Sequence, residues 1–130
     1  MRKLISLIAF TALLAALTPT SAFDINAYRR THNLPPLAMS GGLSGIAQNH
    51  AMTMASSGRL SHDGFRQRMS GSAGAENVAF GCPDEDCAFR MWTRSAGHRR
   101  NMLLRNVSSY GVASATAADG RRYWVLELGN

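Results

Sequence analysis

Lysine is almost missing from this chain. Lys3 is the only one, and residues 23–130 carry their positive charge on arginine alone, twelve of them against eight acids. The basic pairs Arg29-Arg30, Arg99-Arg100 and Arg121-Arg122 are scattered and form no block. That scatter argues against a nucleic-acid footprint, which gathers on one face. Cysteine is scarce too. Two residues, Cys82 and Cys87, exclude a four-cysteine zinc ribbon, and their spacing is not that of a Cys-x-x-Cys redox pair. No apolar run reaches the roughly 18 residues of a membrane span. The longest, Leu4 to Leu17, is 14 residues and follows Arg2-Lys3. Thr20-Ser21-Ala22 then offers small residues for cleavage, so residues 1–22 read as a signal peptide and 23–130 as a single exported domain. No Cys follows the cut, which disfavours a lipoprotein anchor.

Export brings the two cysteines into an oxidising compartment, so a Cys82–Cys87 disulfide is expected. A loop that small contributes only about 2 kcal/mol through chain entropy. It is a local staple.

The chain punctuates itself clearly. Asp24 can cap a first helix running to His32, which Asn33-Leu34-Pro35-Pro36-Leu37 ends. Ser40 can cap a second. Leu43, Ile46, Ala47, His50, Ala51 and Met54 then fall on one helical stripe, and Gly58 stops it. His50 lies on that stripe and reads as a core histidine with a satisfied ring. Arg59 to Gly64 is a loop, Phe65 to Met69 a helical turn, and Ser70 to Gly74 a small flexible rim. Asn77 to Phe80 reads as a buried strand. Asp84-Glu85-Asp86 open a further helix with charges that suit its dipole, which explains them better than a calcium site does. Ala88, Met91 and Trp92 make that helix's apolar face, and Ser95-Ala96-Gly97 ends it, leaving His98 in a loop. Val107 to Ala118 and Arg121 to Leu128 read as strands joined by Asp119-Gly120, a strong hairpin signal. The Tyr123-Trp124-Val125-Leu126 run is apolar on both faces, so helices must cover both sides of its sheet. The expected fold is α+β, a three-layer α/β/α sandwich around a small, mainly antiparallel sheet.

For chemistry, the candidates are His62, Glu76 and His98. Two imidazoles and one carboxylate with an open position suit a catalytic type of zinc site, or proton transfer without metal. A Ser-His-Asp arrangement is poorer: Ser61 and His62 are adjacent, and no Gly-x-Ser-x-Gly elbow exists.

Six pieces in order then resemble the CAP superfamily, the cysteine-rich secretory, antigen 5 and pathogenesis-related proteins, in its short bacterial form. They are Asn26-Ala27-Tyr28-Arg29 with Leu34 to Leu37; the helix around Ala47 to Ala51; Leu60-Ser61-His62; Ala75-Glu76-Asn77-Val78; Trp92 through Ser95 and Gly97-His98-Arg99 to Asn101-Met102-Leu103; and Gly111-Val112 with Tyr123-Trp124-Val125. The resemblance implies a cleft holding two histidines and two glutamates. Here His62, His98 and Glu76 match. Ser95 stands near the place of the second glutamate; Glu85 comes too early, and Glu127 falls on the last strand. The resemblance further implies a secreted or periplasmic binding protein, monomeric, with a lipid, host or envelope ligand and a divalent metal, zinc by ligand type, as a candidate cofactor at His62, Glu76 and His98. A peptidase-like or metal-assisted hydrolase on the same residues is the alternative. Asn77 is expected to brace the backbone beside Glu76, and Arg99 to anchor its loop through a carboxylate.

Overall fold

A computed structural model describes residues 22–70 and 74–130. Residues 1–21, all but the last of the expected signal peptide 1–22, and the centre of the rim at 71–73 lie outside the described residues. No described helix is long and apolar enough to cross a membrane.

Asp24 caps α1 (Ile25–Thr31): its carboxylate accepts from the amides of Asn26 and Ala27. Ser40 caps α2 (Gly41–Ser57) by accepting from Leu43, and Gly58 closes it in the left-handed region at φ 65°. A short α3 (Phe65–Arg68) follows, then strand β2 (Ala75–Phe80). Asp84 caps α4 (Glu85–Thr93), with Glu85 and Asp86 in its first turn. The chain then restarts as α5 (Ala96–Met102) and ends in β3 (Ser109–Thr116) and β4 (Arg122–Gly129). Between α1 and α2, Ala38–Met39 form a two-residue strand, β1.

The sheet order is β1-β3-β4-β2. β3 and β4 pair antiparallel, as do β4 and β2; only the short β1 joins β3 in parallel. The mainly antiparallel sheet is therefore as expected. The β3–β4 turn uses Asp119-Gly120 as its second half. Gly120 takes φ 86° and donates to the Ala117 carbonyl, while Ala117 donates to Arg121 across a wider loop.

Strand alternation sends side chains to two helical layers. Val78, Tyr123 and Val125 meet Ala47, Ala51 and Met54 of α2. The other face, with Ala75, Ala79, Trp124, Leu126 and Leu128, packs on Ile25 of α1, Phe89 and Trp92 of α4 and Met102 of α5. The α/β/α layering follows from this two-sided burial. β2 is an outer strand, yet its free edge is covered: Trp92 Nε1 donates to the Val78 carbonyl at 3.2 Å, and Asn101 Nδ2 to that of Glu76 at 3.4 Å.

Two expectations are corrected. Gly97 does not leave His98 in a loop; residues 96–102 are helical, because the turn anchors itself by burying Met102 completely. Met91 is not on the apolar face of α4: it is exposed, and Phe89 takes that place. Cys82 and Cys87 are joined, their Cα atoms 5.5 Å apart.

Candidate functional site

Glu76 is the second residue of β2 and points to the α2 side of the sheet, with its side chain 1% exposed. A carboxylate so placed must be satisfied by donors. Two elements supply them, and a third stands close by. The loop after α2 presents His62, whose Nδ1 donates to Glu76 Oε1 at 2.8 Å. α3 presents Arg68, whose Nη2 and Nε donate to Oε2 at 2.6 and 3.1 Å. α2 presents His50, whose Nε2 lies 3.7 Å from Oε1.

Local sequence builds this convergence. His50 Nε2 donates to the carbonyl of Ser61 at 2.7 Å and pins the loop onto α2. Ser61 Oγ accepts from the amide of Asp63, which turns the chain. Gly64, at φ 80°, starts α3 and puts Arg68 one helical turn later, below Glu76. The expected satisfied core histidine at position 50 is thus present, and it also braces the site.

A carboxylate only accepts, so His62 holds a proton on Nδ1 and turns Nε2 outward; in the neutral ring that Nε2 carries a free lone pair. His62 is about half exposed at the mouth of a cleft of about 280 Å³ lined by Phe65, Gly74, Ala75, Glu76 and Asn101. A larger, shallow depression of about 670 Å³ follows the outer side of α2 past Asn49, Met52 and Thr53, and no titratable side chain lines it. The chemistry lies in the smaller cleft.

The register of the sheet adds a residue that the sequence reading set aside. Glu127 of β4 is the direct partner of Glu76 across the β2–β4 pair, and it is completely buried. Neither of its oxygens receives a hydrogen bond from another described group. Burial, then the adjacent Glu76 carboxylate, push its carboxyl up to about 9, so it keeps its proton at neutral pH and can offer it to Glu76. Burial alone would raise Glu76 as well. Hydrogen bonds from Glu127, Arg68 and His62 outweigh it and hold Glu76 below the usual carboxylate range. The two acids are driven apart: one is a carboxylate, the other a neutral acid.

His98 is tied to the site through its backbone. Its carbonyl accepts from Asn77 Nδ2 at 3.0 Å, and Asn77 Oδ1 accepts from Asn101 at 2.8 Å. Asn77 therefore reaches the backbone of α5 and not, as expected, that beside Glu76, whose carbonyl accepts from Asn101. The His98 ring does not line the cleft, and its buried Nδ1 has no partner among the described residues. Burial and the neighbouring charge of His62 lower its affinity for a proton. Arg99 does not reach a carboxylate as expected; its Nη1 donates to the Thr93 carbonyl.

Of the three residues expected to act together, His62 and Glu76 are in contact, and His98 is not among the residues that line their cleft. Among the described residues, no group of three or more histidine, cysteine or acidic side chains is placed to hold a metal ion. Both Glu76 oxygens already accept from nitrogen donors. In this arrangement the residues do not fit a divalent ion. Arg68 and Glu127 were missed by sequence reasoning. Glu127 did leave one signal, a lone acid inside the apolar run Tyr123 to Leu128.

The description of the cysteine-rich secretory protein family, CAP, matches residues 23–128. The human Golgi-associated plant pathogenesis-related protein 1 is 30% identical over 116 residues, 77% of this chain and 73% of its own. Among solved structures, an outer surface protein of Borrelia burgdorferi has a TM-score of 0.73 at 19% identity, covering 82% of this chain and 86% of its own, which speaks to fold alone. An extracellular SCP-domain protein of Bacillus anthracis has a TM-score of 0.69 at 26% identity; the match covers 82% of this chain and 37% of that one.

Proposed function

The chain belongs to the cysteine-rich secretory protein family, and from that premise we propose that it is an exported binding module whose cleft at His62 and Glu76 takes a small polar ligand. The observation that carries this is the saturated Glu76 carboxylate. With both oxygens engaged by His62 and Arg68, Glu76 positions other groups and is not free to act on a substrate or to bind a metal. What faces outward is His62 Nε2, a single well-oriented acceptor beside the apolar ring of Phe65. A volume of about 280 Å³ suits a small molecule or a headgroup better than an acyl chain. Export accords with the extracellular proteins that share the fold.

The test uses nitrogen-15 spectra of the histidine rings while amino acids, simple sugars, carboxylates and phosphate are added in turn. Binding is expected to shift the His62 ring selectively and to disappear in His62→Ala.

The hydrolase alternative draws on one feature. A carboxylate holding Nδ1–H and leaving Nε2 free is how a general base is oriented. Among the described residues, no hydroxyl or thiol lines the cleft beside it. Turnover of fluorogenic peptides or esters that is lost in His62→Ala would replace the binding reading with this one.

A further inference from the structure

The cleft floor holds two buried carboxyls and one cation between them. Arg68 grips Glu76 Oε2 with two nitrogens, and its Nε lies 3.8 Å from Glu127 Oε1. Its Nη1 donates to the Asp63 carbonyl, so the guanidinium is fixed on three sides. Its side chain is only 16% exposed.

We infer that Arg68 is the resident cation of this cleft, filling the position a divalent metal would need, and that the native site is closed to divalent ions for that reason. The charges fit this reading. A guanidinium carries one positive charge and balances one carboxylate, Glu76; the second acid, Glu127, must then keep its proton. A divalent ion would balance two carboxylates and would need both ionised. It would also need a lone pair from His62 Nδ1, the atom that now donates to Glu76. Arginine suits the role because its planar fork matches a carboxylate with two bonds and it does not lose its proton. Without Arg68, the Glu76 and Glu127 carboxyls would face the space it vacates, and a shift of the His62 ring away from Glu76 Oε1 would add an imidazole. Two carboxylates and an imidazole form a donor set that first-row divalent metals accept. The inference goes beyond the ligand reading and does not depend on it, because zinc alone is the probe.

The experiment is calorimetric titration of zinc chloride into the wild type, Arg68→Ala, Arg68→Lys and the double variant Arg68→Ala/Glu76→Gln, with circular dichroism on each. The wild type and Arg68→Lys should show no saturable heat. Arg68→Ala should bind zinc at least tenfold more tightly than the wild type, and the double variant should lose that binding. If Arg68→Ala does not fold, Arg68→Gln carries the same comparison, because its amide still donates to Glu76 while the charge is gone. Saturable micromolar binding by the wild type, lost in Glu76→Gln, would overturn the inference. So would a folded Arg68→Ala or Arg68→Gln that binds no better than the wild type.

Discussion

Replacing Glu127 with glutamine tests the electrostatics of the site most directly. The folded protein holds the Glu127 carboxyl at about 9, whereas an unfolded chain releases the proton near the ordinary glutamate value of 4.5. Between those values the folded state binds one proton more than the unfolded state. The stability from this group is complete below the unfolded value and is lost as pH rises toward the folded one. Its slope is about −1.4 kcal/mol per pH unit. The lowered proton affinity of His98 works in the opposite sense: it costs stability in acid and is spent by pH 7. The clean window is therefore pH 7 to 8.5, where the wild type should lose about 2 kcal/mol of unfolding free energy. Glutamine is neutral throughout and can still donate to Glu76, so Glu127→Gln should be flat in this window and at least as stable as the wild type at pH 8.5. Urea unfolding at four pH values measures both curves. A flat wild type, or a parallel slope in Glu127→Gln, would refute the proton-sharing pair.

Two further substitutions probe how the scaffold carries the site. Gly111 of β3 lies beneath α2, and a methyl there would overlap the backbone of Leu43 and Ser44; Gly111→Ala should cost about 3 kcal/mol in urea unfolding. Asn77 is completely buried between the His98 carbonyl and Asn101 Nδ2, so Asn77→Ala strands both groups and should cost about 2 kcal/mol, measured the same way.

Where the fold was legible, the signals were local and complete. Asp24, Ser40 and Gly58 mark helix ends because capping needs only the residue and its next few amides. Asp119-Gly120 marks the hairpin because the turn needs one residue at positive φ. Where the sequence misled, the cause was tertiary. α5 persists through Gly97 because Met102 is buried against the core. β1 is two residues long and exists only because β3 lies alongside it. Met91 and Phe89 are both apolar, and only the position of the sheet decides which of them is buried.

The site divides along the same line. His62 and Glu76 could be named because each sits in a recognisable local run, and their contact is observed. Arg68 and Glu127 had no such run. Glu127 reaches Glu76 only through the β2–β4 register, and a slip of one residue would turn it to the other face of the sheet. Arg68 arrives through Gly64, whose left-handed backbone starts the short helix below the strand. A search for a second acid near Trp92 in sequence therefore finds only Ser95, whereas the fold sets Glu127 beside Glu76. That acid is brought by a strand from the opposite end of the domain and is kept neutral first by its burial and then by Glu76. The single arginine beside them balances the pair, and that balance is what the zinc titration of Arg68→Ala puts to the test.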